Sequence, residues 1–179
     1  MSTALVNGVA LRYEIHGEGF PVVLLNGLGG NRKDWYEQVP VFSQHYQTIT
    51  YDHRGTGDSN KPETGYSIDQ FADDCIGVLD HLDLERVHLV GYSMGAGVTN
   101  RFRVTHPDRL LTATLGGFGA TSEESPFVRR ASEFADAMAR GDVGHIMRVL
   151  SPPGQSPTQE QIDAIVTAMA EGVTPHAQA

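Results

Sequence analysis

The chain has 179 residues, 40% of them hydrophobic, and a formal net charge of −9. That length suits a single domain able to bury a proper core, and the scattered acidic excess excludes a nucleic-acid footprint or attraction to an anionic membrane. Cys75 is the only cysteine, which excludes an intramolecular disulfide and a thiolate zinc cluster.

No metal or other cofactor is expected. The segment from Met1 to Val6 lacks a basic stretch followed by an apolar run, and nothing approaches the ~20 apolar residues of a membrane span. A cytoplasmic protein with a small-molecule partner, and no nucleic-acid or membrane partner, is therefore the expectation.

In chain order, Asn7-Gly8 separates Ala4-Leu5-Val6 from the alternating Val9, Leu11, Tyr13 and Ile15, which predicts a tight antiparallel hairpin. Pro21 to Leu25 is a continuous apolar run, as in a strand covered on both faces. It ends in Asn26-Gly27-Leu28-Gly29-Gly30, where small residues let a ligand approach backbone at the carboxyl edge of the sheet. A helix is predicted from about Arg32 to Phe42, then a strand over 46–51 that runs into the glycine-spaced loop Asp52 to Ser59. Ser67 and Gln70 form a capping-box pattern for a helix to about Leu82, with the apolar stripe Ile68, Phe71, Ala72, Cys75, Leu79, Leu82. Cys75 thus reads as a core thiol.

Val87 to Val90 then supplies a short buried strand that breaks into Gly91-Tyr92-Ser93-Met94-Gly95. The spacing G-x-S-x-G fits a strand-to-helix elbow, in which glycines two positions either side of the serine remove side chains that would collide with the turn. The hydroxyl of Ser93 is then presented clear of the sheet, and the amide of Met94 points into the same space at a helix start. A helix over 96–104 stops before Pro107, and a further strand over 110–115 opens into Gly116-Gly117-Phe118-Gly119. Up to this point strands and helices alternate, which argues a largely parallel sheet with helices on both faces. Residues 122–179 read only as helices: one from Ser125-Pro126 to Gly141, a short one from Asp142 to about Leu150, and one from Ser156-Pro157 to Gly172.

Three loops in this order resemble the α/β-hydrolase superfamily: Asn26-Gly27-Leu28-Gly29 after the third strand, Asp52 to Ser59 after the fourth, and Gly91 to Gly95 after the fifth. The resemblance implies a mostly parallel sheet of about six strands, a hydrolase core over 1–121 and a helical cap over 122–179. It implies Ser93 as a nucleophile that attacks the carbonyl of a small ester or lactone, and the amides of Leu28 and Met94 as the oxyanion hole. Asn26, Gly27, Gly29, Tyr92 and Phe118 would line the substrate pocket. A serine at this position points away from epoxide hydrolases and haloalkane dehalogenases, which use aspartate there, and the loop wording is similar to enol-lactonase-like members.

The family takes its base from a histidine after the eighth strand and its acid after the sixth or seventh, so the chain reads as lacking its last two strands and both triad partners. His16, His45, His81, His88 and His106 are expected at the wrong end of the sheet; His53 is at the right edge but about two strand spacings, roughly 10 Å, from the elbow. His145 and His176 fall in the presumed cap, and Glu123 and Glu124 follow the sixth strand. Two rivals remain open: a non-catalytic truncated piece of the fold, and a dinucleotide-binding protein, which the absence of a glycine at Arg32 disfavours. The strand over 110–115 is expected to form an edge through which copies self-associate.

Overall fold

The computed structural model describes residues 2–117, 133, 142–150 and 156–170. The chain divides into two compact units, Met1–Phe118 and Gly119–Ala179.

The first unit is built on one six-stranded sheet with strand order β1-β2-β4-β3-β5-β6. The hairpin β1 (Ser2–Val6) and β2 (Val9–His16) turns at Asn7 and Gly8, whose φ values of 48° and 77° are the left-handed pair that this tight turn requires. β2 joins β4 (Gln47–Tyr51) antiparallel; β3 (Pro21–Leu25), β4, β5 (Val87–Tyr92) and β6 (Leu110–Gly116) run parallel. β3 lies between β4 and β5, where its valines and leucines are covered, hence its unbroken apolar run. Parallel alignment brings the carboxyl ends of β3, β4, β5 and β6 to one edge. Leu25 pairs with Gly91 and Tyr92 with Gly116, so the residues that follow β3, β5 and β6 are neighbours there.

α2 (Ile68–His81) and α3 (Met94–Thr105) pack on each other, α2 also against β1 and α3 against β5 and β6. The core between them and the sheet contains Val23, Leu25, Ile49, Tyr51, Phe71, Cys75, Val78, Leu79, Leu89, Val98 and Phe102. Full burial of each large apolar side chain in this set contributes ~1.5–3 kcal/mol. Cys75 is wholly buried, and loss of solvation pushes its pKa up to about 12, so it is an inert core thiol. Ile68, expected on the same stripe, lies in the first turn and is exposed; Val78 takes its share of the core.

Three local expectations are corrected. The single helix over 32–42 is instead a 3-10 turn, Arg32–Trp35, followed by the short α1, Gln38–Phe42. Pro40 explains the break: it cannot bond back to the carbonyl of residue 36, and it is tolerated only in the first turn of a new helix. At the head of α2, Ser67 accepts from the Gln70 amide (3.1 Å), but the Gln70 side chain reaches Asp74 (3.3 Å) rather than closing a reciprocal box.

The third correction lies in the second unit, where α4 (Val143–Leu150) follows Asp142 and α5 (Gln159–Ala170) is capped by Thr158, not Ser156. Thr158 and Gln161 exchange side-chain-to-amide bonds of 3.3 and 2.9 Å, a complete capping box. The expected helix over 125–141 lies outside the described residues except at Glu133, which is helical. Among the described residues no helix is long and apolar enough to cross a membrane.

Candidate active site

β5 ends at Tyr92 and α3 begins at Met94, so the entire reversal falls on Ser93, with φ 53° and ψ −114°. A serine in that region stores ~1–3 kcal/mol of backbone strain, which only a well-determined surrounding sustains. The surrounding is visible. The Ser93 amide donates to the Gly116 carbonyl (2.9 Å), and its own carbonyl accepts from the amides of Ala96 (3.0 Å) and Gly97 (3.2 Å). A Cβ at Gly91 would overlap the Gly95 carbonyl, and one at Gly95 would overlap the carbonyls of Leu25 and Asn26, so the two glycines are dictated by backbone contact. The Ser93 side chain is exposed and makes no cap bond to α3, which leaves its oxygen available.

Opposite it runs the loop after β3. Gly27 packs against Ser93 closely enough that a Cβ there would lie 3.2 Å from the serine Cβ. The loop is tied across its base: the buried Asn26 side chain donates to the Asn31 carbonyl, and the Gly30 amide donates to Gly27 (3.2 Å). Leu28, at the tip, is half-exposed. Among the described residues neither the Leu28 nor the Met94 amide has a hydrogen-bond partner. Leu28 follows Gly27 and Met94 follows Ser93, the two residues in contact across the loops, and an unpaired amide at a helix N-terminus such as that of Met94 favours negative charge. Tyr92 is exposed, its ring lying against Gly27 and Gly117.

Beneath the loops lie two buried ion pairs that sequence reading did not find, because the partners sit 20 residues apart and meet only in the fold. Asp52 is fully buried and accepts from the Arg32 amide (2.7 Å), the Arg32 guanidinium and the Asp58 amide (2.8 Å). Arg32 also donates to Glu14 (3.0 Å) and Asp58 (2.9 Å). Burial works against its charge, yet the bonds to Asp58 and Glu14 and the field of Asp52 prevail and raise its pKa above the ordinary value. Burial raises Glu14 as well, but its contacts with Arg32 and His16 leave it lowered on balance, and the bond from Arg32 lowers Asp58. In the second pair, Arg54 donates to Asp74 through Nε (2.6 Å) and Nη2 (2.7 Å), and this bond raises the arginine pKa despite burial.

His53 stands at the carboxyl edge but points inward. Its ring is buried edge-on between Tyr51 and Phe71, at centroid distances of 5.1 and 5.2 Å, and neither nitrogen has an aligned hydrogen-bond partner among the described residues. Burial pushes its pKa down to about 4, against an opposing pull from the Asp74 charge, the Asn26 backbone and Asp52. It is therefore neutral at pH 7, and it lies in the core whereas Ser93 is exposed.

His16 pairs with Thr48 and His88 with Val22, both at the amino ends of the parallel strands; His81 is the last residue of α2, and His106 follows the end of α3. The fold thus gathers Asn26, Gly27, Leu28, Gly29, Gly91, Tyr92, Ser93, Met94 and Gly95 at one edge. Among the described histidines of the first unit it brings none to Ser93 there. Phe118, Glu123, Glu124 and His176 lie outside the described residues.

The sequence model of the family described as alpha/beta hydrolase fold matches residues 21–139. RutD of Caulobacter segnis, provisionally named a carbamate hydrolase, is 40% identical over 116 residues, which make up 62% of this chain and 43% of that protein. The enol-lactonase of Burkholderia xenovorans LB400 superposes with a TM-score of 0.66 at 28% identity, over 95% of this chain and 65% of its own. A thermophilic esterase of Thermogutta terrifontis gives a TM-score of 0.71 at 27% identity, over 83% of this chain and 57% of its own. The chain spans about half the length of the curated relatives it matches.

Proposed function

The chain belongs to the α/β-hydrolase family, and from that premise we propose that it carries the nucleophile and oxyanion half of a serine hydrolase acting on a small carboxylic ester or lactone. The observation that carries this reading is the strained elbow at Ser93, its hydroxyl exposed and its Cβ packed against Gly27 of the loop after β3. In the reaction the Ser93 oxygen bonds to the substrate carbonyl carbon as its proton passes to a base. The carbonyl oxygen takes the negative charge and accepts from Leu28 and Met94. The C–O bond to the leaving alcohol then breaks, the alkoxide takes up a proton, and water releases the acyl group from the serine.

Among the described residues of the first unit, no base stands beside Ser93. His53, the one described histidine of the first unit at this edge, is buried between aromatic rings in the field of Asp74. The purified 179-residue protein should therefore turn over activated esters only at the low level that an oxyanion hole and binding sustain, ~10³ to 10⁴ over water. The similarity to an enol-lactonase supports a lactone or ester. The similarity to RutD favours a second reading, a carbamate, whose carbonyl would occupy the same position.

The test is hydrolysis of p-nitrophenyl acetate, a δ-lactone and a carbamate by the chain and by Ser93→Ala. A slow rate that Ser93→Ala leaves nearly unchanged supports the proposal, because the oxyanion hole and binding sustain it, and the preferred carbonyl distinguishes its arms. Vigorous turnover that Ser93→Ala abolishes would mean that a histidine of this chain serves as the base, and no rate above water in either protein would favour a non-catalytic role for the fold.

A further inference from the structure

We propose that Asp52 is a positioning residue that sets the Leu28 amide for its oxyanion, by anchoring the far end of the 26–32 loop through the Arg32 amide. The proposal rests on the reading of Leu28 as a donor. Leu28 itself has nothing to hold it: its side chain is half-exposed and its amide is unpaired among the described residues. Its place is inherited from the loop's stem. One end continues β3, paired to β5 up to Leu25 and Gly91. The other end is Arg32, whose amide donates to Asp52 at 2.7 Å. Between the ends, the Asn26 side chain bonds to the Asn31 carbonyl, and the Asn31 amide donates to Asp34 at 2.9 Å, so displacement at Arg32 is passed to the tip.

Asp52 is equipped to be a fixed post. Its amide donates to Arg12 (2.9 Å), and its carbonyl accepts from Ser59 Oγ (2.7 Å), which in turn accepts from the Arg12 amide (2.9 Å). The loop after β4 wraps its carboxylate so closely that a Cβ at Gly57 would overlap it. The Arg32 guanidinium balances the buried charge and extends the hold to Glu14 on β2. The dependence of an oxyanion donor on position is steep, since a misplacement of ~1 Å can cost 10²-fold in rate. Met94, on the rigid start of α3, receives no such support and needs none.

That asymmetry supplies the test. Protein carrying ¹⁵N-leucine and ¹⁵N-methionine is phosphonylated to completion on Ser93 with a p-nitrophenyl alkylphosphonate, whose phosphoryl oxygen stands in for the oxyanion. In the wild-type adduct the Leu28 and Met94 amide protons should both move downfield. In the Asp52→Asn adduct Met94 should keep its shift and Leu28 should lose most of it, while exchange of the Gly30, Asn31 and Arg32 amides quickens by about tenfold or more and β5 is unchanged.

No Leu28 shift in the wild-type adduct would overturn the oxyanion reading itself. Both shifts retained in Asp52→Asn, or both lost together, would overturn the positioning role and leave Asp52 a structural charge only. If Asp52→Asn fails to fold by circular dichroism, Asp52→Glu, which keeps the charge but moves the carboxylate off the Arg32 amide, carries the same comparison with the same outcomes.

Discussion

Replacing Asp74 by alanine should destabilise the sheet unit by about 3–5 kcal/mol, the usual cost of stranding one member of a buried ion pair. Asp74 lies in α2 with no exposed surface and accepts from Arg54 twice, from Asn7 (3.0 Å) and from Gln70 (3.3 Å). The pair thereby joins the loop after β4, the first hairpin turn and a core helix. In the alanine variant Arg54, only 5% exposed, would keep one described acceptor, the Gly65 carbonyl at 3.3 Å. Against a total stability of ~5–15 kcal/mol this loss is large, and at ~2–4 °C per kcal/mol it lowers Tm by roughly 6–20 °C. Equilibrium urea unfolding followed by circular dichroism measures it directly. The double variant Asp74→Leu with Arg54→Met should recover most of the loss, because an apolar replacement removes both desolvated charges. A single-variant loss below about 1 kcal/mol would refute the reasoning, since that is the value of an exposed pair and would mean that water reaches Arg54.

Ser93→Gly should relieve the backbone strain at φ 53° and, after the entropic penalty of glycine, raise stability by about 1 kcal/mol in the same urea assay; a loss would mean that the elbow is unstrained. His53 sets a pH dependence: its folded pKa of about 4 lies below its ordinary 6.5, so only the unfolded chain takes up this proton between those values, and stability declines as pH falls from 6.5 to 4, by about 3 kcal/mol at most. His53→Phe should flatten urea midpoints across that window, and an unchanged slope would show that the imidazole is protonated in the fold. The lowered carboxyls of Glu14 and Asp58 act in a separate window, as their stabilisation is lost only when pH falls from their ordinary values near 4 through their still lower folded ones. β6 pairs only with β5 among the described residues and contains neither proline nor lysine, so sedimentation mass should rise with concentration; a monomer at high micromolar concentration with slowly exchanging amides over 110–116 would show that edge to be covered.

The element order was legible because each signal is local. Asn7-Gly8 can make only a tight reversal, the run Pro21–Leu25 belongs between covering layers, and glycines at 91 and 95 are required by atoms within a few residues of Ser93 or on the adjoining strand end. What failed was equally local in cause. Pro40 interrupts the helix expected over 32–42, and a buried carboxylate four residues on competes with the cap for the Gln70 side chain. The loop from Asp52 to Ser59 was recognised as a motif, but nothing in its spacing told which partner each charge would meet.

The sequence alone determined the alternation of strands and helices, the elbow and the glycine-bordered loops, because these follow from backbone sterics and from the apolar period of each segment. Tertiary structure decided which loops share an edge, through the order β4-β3-β5-β6, and which charges lie together. Asp52 with Arg32 and Asp74 with Arg54 are 20 positions apart in the chain, and their pairing exists only once the sheet has aligned the carboxyl ends of β3 and β4 and laid α2 against the core. The same alignment turned His53 inward between Tyr51 and Phe71, where desolvation, a property of the packed interior and of no sequence pattern, removes it from proton chemistry at neutral pH.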